Sequence, residues 1–350
     1  MMSWRYSGSL GELGSKGASR MRAVWYESTG PAASVLQLGE RPVPEPQRGE
    51  VRVRVLVSGV NPSDVKSRAG VRAPMAFPLV IPHSDGAGII EAVGTGVSKD
   101  RIGERVWTWN AAWDRPHGTC AEFVCLPEGQ ALRLPDNVGF DAGACLGIPG
   151  LTATHAVFAD GPVEGKTLLV TGGAGAVGQC AIQLAKWGGA RVITTVSGFF
   201  KAQQSKAAGA DHVINYRDED VTSAVKAFTS DAGVDRIIEV ELGGNIETSV
   251  KILKPNGVIA AYGSMAMPKP EFPVYPLMFK NITMRLILVY RLSEDERRRA
   301  CELLTKAMKE NALAPTIAAR FPLEATAQAH TAVESGELVG NAIIDVSAAP

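Results

Sequence analysis

The sequence predicts an α/β protein made of a β-rich first part and a doubly wound parallel sheet, and three observations predict it. From Lys166 to about Tyr290, near-continuously apolar strand segments alternate with segments of helical spacing, as expected for strands covered on both faces by crossover helices. A glycine-rich turn stands between the first strand and the first helix of that region. From Met21 to about Leu146 the texture is different, with short segments of two-residue alternation broken by Gly- and Pro-rich turns.

Met1 to Arg20 hold many small and polar residues and no apolar run of the kind a secretion signal needs, so residues 1–20 are expected to be a disordered extension. The run Met21-Arg-Ala-Val-Trp-Tyr26 reads as the first strand, and Pro42, Pro44 and Pro46 mark an extended connector. Val51, Val53, Val55 and Val57 alternate with Arg52, Arg54, Leu56 and Ser58, the period of a strand. Gly86–Val93 and Arg105–Trp109 are further strands. The texture changes near Pro149. Strands are then expected at Thr167–Thr171, Arg191–Val196, His212–Asn215, Val234–Val240, Val258–Tyr262 and Ile282–Tyr290. Helices are expected at Val177–Trp187, Phe200–Ala208 and Val221–Ser230. A charged helix follows Ser293, with Glu296 completing a capping box, and Asn341–Val346 reads as a closing strand.

Composition excludes several classes of function. Thirty-six Lys+Arg balance 36 Asp+Glu, so the chain lacks the basic excess with which proteins neutralise nucleic-acid phosphates. No stretch approaches the ~20 unbroken apolar residues of a membrane span. Cys120, Cys125, Cys145, Cys180 and Cys301 are few, odd in number and mostly far apart, which fits reduced thiols in the cytoplasm better than a disulfide framework.

The sharpest motif is Gly172-Gly173-Ala174-Gly175-Ala176-Val177-Gly178, directly after the strand Thr167–Thr171. Gly173, Gly175 and Gly178 satisfy G-x-G-x-x-G, in which the missing side chains allow a tight turn, close approach to a pyrophosphate and close helix packing. The amides of Ala176 and Val177 then open a helix whose N-terminus favours the negative charge. An NAD site usually adds an acidic residue about 20 positions later, to bind the ribose 2′-hydroxyl. Gly165 to Ala210 contains no Asp or Glu; instead Ser197 and Lys201 end the second strand and open the next helix. A hydroxyl and an ammonium suit a 2′-phosphate, so NADPH is expected rather than NADH.

With these residues in view, the chain resembles the medium-chain dehydrogenase/reductases, specifically the zinc-free quinone oxidoreductases related to zeta-crystallin. The resemblance runs from Met21 to Val346. It is carried by Gly59-Val-Asn-Pro-Ser-Asp-Val-Lys66, Ile81-Pro-His-Ser-Asp-Gly-Ala-Gly88, Gly103-Glu-Arg-Val106, Gly118-Thr-Cys-Ala-Glu-Phe123, Pro149-Gly-Leu-Thr-Ala153 and the run from Val170 to Lys186. It implies a GroES-like catalytic domain formed by residues 21–148 and 292–350, with a Rossmann NADP-binding domain, residues 149–291, inserted between them. Substrate and nicotinamide would share the cleft between the two. It also implies that Lys201 and Tyr216 grip the 2′-phosphate, that Thr152 faces the cofactor, and that Ile282–Tyr290 is the edge strand through which two copies pair as a homodimer. Relatives often carry Lys or Arg where this chain has Asn341, a further cofactor-phosphate position.

The zinc enzymes of the superfamily bind their catalytic metal through Cys, His and Cys. The matching positions are taken as Asn61, His83 and Ile148, so one ligand of three survives and no metal is expected. Without a Lewis acid to hold an alkoxide, reduction of an electron-poor quinone or conjugated enone is the accessible chemistry. Asn61 is the first catalytic candidate, as a hydrogen-bond donor to the oxygen that gains charge or to the nicotinamide ribose, with a plain turn asparagine before Pro62 as the alternative. His83 is the second, as a proton donor to the reduced product or as a packed loop histidine. Asp64 and Asp85 read as loop-ordering carboxylates. Glu239 and Glu241 either shape the ligand mouth or are solvated. Trp107, Trp109 and Trp113 either wall a pocket for a flat ring or fill the core. The expected function is an NADPH-dependent, zinc-independent hydride transfer to a quinone or similar activated carbonyl. Alternatives are an enoyl or alkenal reductase, a zinc alcohol dehydrogenase with displaced ligands, and a non-catalytic, crystallin-like NADPH-binding protein.

Overall fold

The structure is a computed structural model, and it describes residues 19–71 and 73–347. The expected extension therefore lies outside the described residues, except for Ser19 and Arg20; Arg20 already belongs to the first strand. Strands β1 (Arg20–Trp25) and β2 (Gln37–Pro42) form an antiparallel ribbon, with a short helix α1 (Ala32–Val35) between them.

Then follow β3 (Glu50–Val60), α2 (Pro62–Arg68), β4 (Asp85–Val93), β5 (Arg105–Thr108), β6 (Phe123–Pro127), β7 (Ala131–Arg133) and α3 (Phe140–Gly143). The alternation in β3 does what its period dictates. Val51, Val53 and Val55 point into a core with Ile90, Val106 and Leu126, while Arg52 and Arg54 sit half-buried on the opposite face.

Helix α4 (Ile148–Phe158) crosses into the second body, where β8 (Thr167–Val170), α5 (Ala176–Trp187), β9 (Arg191–Val196), α6 (Phe199–Ala207), β10 (His212–Asn215), α7 (Val221–Thr229), β11 (Val234–Glu239), α8 (Leu242–Ile252), β12 (Leu253–Ala261), α9 (Val274–Phe279) and β13 (Thr283–Leu286) alternate. Its six strands run parallel in the order β10-β9-β8-β11-β12-β13. The reversal of strand order on either side of β8 creates the crevice at which such sheets bind ligands. The chain ends with α10 (Glu294–Lys309), β14 (Ile317–Pro322), α11 (Thr326–Glu334) and β15 (Asn341–Asp345). Strand β15 pairs with β3, so the C-terminal tail returns to complete the first, seven-stranded sheet.

Two details place the cleft. The expected strand Ile282–Tyr290 stops at Leu286, because the chain then leaves the sheet edge and a 3₁₀ turn, Val289–Arg291, carries Ile287, Val289 and Tyr290 into the core shared by both bodies. The carboxyl end of α4 is held by Arg236 of β11, a nearly fully buried guanidinium that donates to the carbonyls of Val157 and Asp160 and so satisfies groups the helix leaves open. With Trp107, Leu146, Leu151, Leu168, Ile182 and Leu304 in one core cluster, the two sheets are joined by apolar packing.

Candidate active site

The phosphate turn is built by exclusion of side chains. Gly172 has φ +66°, and a Cβ on Gly173 would stand 1.9 Å from Thr194 Oγ1. A Cβ on Gly178 would stand 2.3 Å from the Gly172 carbonyl. Gly175 is different: its Cβ position meets only Gly172 O, at 3.5 Å, so its outer side is open. It is the N-cap of α5 and carries no side-chain cap. The first amides of that helix, Ala176 and Val177 among them, are left for a ligand anion.

At the carboxyl ends of β9 and β10 the second part of the site assembles. Lys201 Nζ donates to Ser197 Oγ at 3.1 Å. Tyr216, whose backbone N–H donates to Val196 O at 3.1 Å, is 52% exposed and lines a cavity of about 270 Å³ with Thr171, Thr195 and Val240. A cation, a hydroxyl and a phenol thus stand at one edge, where an NAD site places a carboxylate. Asn341 opens β15 in the other sheet, is 7% exposed, and donates its amide to Thr316 O at 3.1 Å; it lines neither this cavity nor the cleft described next.

A second cleft, of about 280 Å³, brings together Asn61, Thr152, the phosphate turn and an apolar wall that includes Tyr262, Ile287 and Tyr290. Asn61 is held from three sides. It caps α2, and its N–H donates to Asp64 Oδ2 at 2.8 Å. Its Nδ2 donates to Asp85 Oδ2 at 2.7 Å, and the same oxygen accepts Ile148 N–H at 2.8 Å. Asp85 is fully buried, and burial pushes its carboxyl pKa well above the usual carboxylate range. Thr152 donates its hydroxyl to Ile148 O at 2.6 Å, one turn back along α4.

His83 is not in this cleft. It has φ +79° and no exposure; Nδ1 lies 2.9 Å from Ser58 Oγ, and Nε2 lies 2.9 Å from His330 Nε2 of α11. The two rings are stacked with centroids 5.1 Å apart. Burial, and then the neighbouring His330, push its pKa well below the usual value, so it is a neutral, doubly engaged core histidine rather than a proton donor facing the cleft. A positive φ is a backbone conformation that disfavours a side chain, so the histidine is held there by its buried partners.

The three positions matched to zinc ligands therefore hold an amide, a histidine engaged elsewhere and an isoleucine. Among the described residues no group of three or more His, Cys, Asp and Glu side chains could hold a metal ion. The donor set does not fit catalytic zinc.

Other expected residues divide. Glu239 is buried and accepts from Thr171 Oγ1 at 2.8 Å and Asn245 Nδ2 at 2.9 Å. Glu241 accepts the backbone N–H groups of Met265, Ala266 and Met267, anchoring the turn that carries cleft residue Met265. Trp107 and Trp109 are core, whereas Trp113 stacks on Tyr290 with centroids 4.3 Å apart and so backs the cleft wall. The contributions of Tyr290 and Ile287 gave no sequence signal, since they lie in what reads as a continuing strand.

A parallel sheet with a glycine-rich phosphate turn, whose cleft is lined by Asn61 and Thr152 and which packs against a second, mostly antiparallel sheet, defines a dinucleotide-dependent oxidoreductase. Comparison with known proteins agrees. Residues 47–158 match the alcohol dehydrogenase GroES-like domain, and residues 176–306 match the zinc-binding dehydrogenase family. The chain is 31% identical over 319 residues to a quinone oxidoreductase of Rattus norvegicus, covering 90% of this chain and 94% of that one. It is 29% identical over 333 residues to a 2-haloacrylate reductase of Burkholderia, covering 93% and 98%. It superposes on an Escherichia coli quinone oxidoreductase solved with NADPH, with a TM-score of 0.81, 26% identity and coverage of 93% and 99%. The chain belongs to the medium-chain dehydrogenase/reductase superfamily, in its quinone-oxidoreductase branch.

Proposed function

We propose that this protein uses NADPH to reduce a quinone or a similarly activated carbonyl compound, without a metal. The observation that carries the reading is the cleft in which Asn61 and Thr152 meet the phosphate turn against an apolar wall. NADPH, when bound, supplies the hydride. Ser197, Lys201 and Tyr216 hold the 2′-phosphate by charge and hydrogen bonds. Gly173, Gly175 and Gly178 admit the pyrophosphate to the amides of Ala176 and Val177. Thr152 contributes an acceptor lone pair to the nicotinamide side. Ile287, Val289 and Tyr290 present the apolar surface on which a flat acceptor ring lies. One Asn61 amide hydrogen is engaged by Asp85; the other donates to the acceptor oxygen as negative charge develops there. With His83 buried, the proton that completes reduction comes from water. The name of the Burkholderia relative favours conjugated, electron-poor acceptors as a second substrate group.

The protein further acts as a homodimer in the cytoplasm. Strand β13 is an open edge of the parallel sheet; its Leu286 is 71% exposed, and Phe279 at the end of the preceding α9 is 85% exposed. The five cysteines are all free, and four of them are buried. Among the described residues no helix is long and apolar enough to cross a membrane.

Purified protein with 1,4-benzoquinone and a metal chelator is expected to oxidise NADPH at least about tenfold more efficiently than NADH, a preference of roughly 1.4 kcal/mol. Turnover abolished by the chelator, or binding of NADPH without turnover on benzoquinone or an enone, would defeat this reading.

A further inference from the structure

We propose that Asp85 is a positioning residue, whose Oδ2 ties Asn61 of the first body to the first backbone amide of α4 and thereby sets where the Asn61 amide stands in the cleft. The inference rests on the reading of Asn61 given above and goes beyond it, because Asp85 is fully buried and does not line the cleft. Its geometry is specific. One oxygen accepts two donors, Asn61 Nδ2 at 2.7 Å and Ile148 N at 2.8 Å, which belong to two different elements lining the cleft. Because its nitrogen donates to Asp85 Oδ2, the Asn61 amide is turned toward Asp85 and its rotamer is held there. The backbone of Asp85 is fixed as well: it pairs with Gly59 in β3, and its carbonyl accepts Thr119 Oγ1 at 2.6 Å. The surroundings are shaped to the carboxyl group. A Cβ on Gly147 would fall 2.2 Å from Asp85 Oδ1, so only glycine fits at the N-cap of α4. That helix has no side-chain cap of its own, and Asp85 takes this place from the other body. The helix start and the catalytic amide are thus set by a single atom, and neither shifts without the other.

The test is a variant set assayed with NADPH and 1,4-benzoquinone, with NADPH affinity read separately by fluorescence. Asp85→Ala is expected to lower kcat by about a hundredfold, the scale of an ångström-sized misplacement, with KM for benzoquinone and the Kd for NADPH changed less than about threefold. Asp85→Asn retains an acceptor oxygen for both donors and is expected to keep kcat within about threefold of wild type on the same grounds. The double variant Asn61→Ala with Asp85→Ala is expected to be no slower than Asn61→Ala alone, because Asp85 acts through Asn61. A folded Asp85→Ala protein with wild-type kcat overturns the proposal, as do additive losses in the double variant. If Asp85→Ala does not fold, the isostere decides: a loss of more than about thirtyfold in Asp85→Asn with NADPH affinity intact shows that charge or a proton matters, not position. The underlying reading fails separately, through an Asn61→Ala protein with undiminished turnover.

Discussion

His83 shows how one residue can match a family position and still take no part in its chemistry. Its ring is closed in by Ser58, Thr119 and His330, and the partner that fixes it lies 247 positions away on α11, so no local pattern announces it. The pair has a consequence for stability. Burial pushes His330 down to about 3, with Arg68 adding a like charge, and His83 is lowered in the same direction. An unfolded histidine titrates near 6.5. Between these values the unfolded chain binds the additional protons, so stability is complete above about pH 6.5 and falls as the pH drops toward 3. The His330 ring contributes up to about 1.4 kcal/mol per pH unit in that window, and His83 acts with the same sign. The urea midpoint is expected to fall more steeply from pH 7 to pH 5 in the wild type than in His330→Gln. Parallel curves would show that the pair is not the cause.

The elements of the cofactor body were the most legible part of the chain. Each of its first three strands is a run of β-branched or apolar residues followed by a helical period, and the G-x-G-x-x-G turn fixes which crevice is used, whereas α8 and α9 were not read as helices. What could not be read was the end of the sixth strand, where apolar residues continue past Leu286 although the backbone has left the sheet. Periodicity cannot distinguish a strand from a buried 3₁₀ turn of the same composition. Nor could the bond from the Asn341 amide to the Thr316 carbonyl be foreseen, because Thr316 lies just before β14, 25 positions earlier in the chain. The glycine turn makes its own prediction at this scale. In Gly173→Ala the new methyl group meets Thr194 Oγ1, which is itself engaged with Val170 O at 2.7 Å and cannot easily move. Overpacking of this kind costs about 1–3 kcal/mol, and NADPH affinity is expected to fall about tenfold or more as the turn opens. Adding Thr194→Ala removes the obstructing oxygen and is expected to restore part of both losses. Fluorescence titration of NADPH and urea denaturation of the two variants decide the matter, and an unaffected single variant would show that the turn tolerates a side chain.

Across the whole molecule, the return of β14 and β15 to β3 makes the first body depend on both ends of the described chain, while β13 leaves the second body with one unpaired edge. Open edges with apolar neighbours are prone to pair, and proteins that keep them usually cover them. Under the proposed homodimer the cover is a second copy: two β13 edges related by a two-fold axis would continue the two sheets into one, and Phe279, Met278 and Tyr275 of α9, all more than 60% exposed, would close over the seam. The pairing would leave the cleft intact, since neither Leu286 nor Phe279 lines it. Light scattering is therefore expected to give twice the 37.0 kDa chain mass for the wild type. Leu286→Asp combined with Phe279→Asp should yield the single-chain mass, because two like charges per copy, buried without partners, cost more than such an edge can return. NADPH binding should persist in that monomer. A wild type that runs as a single chain at micromolar concentration would sink the dimer, and a charged double variant that remains paired would place the interface on another face.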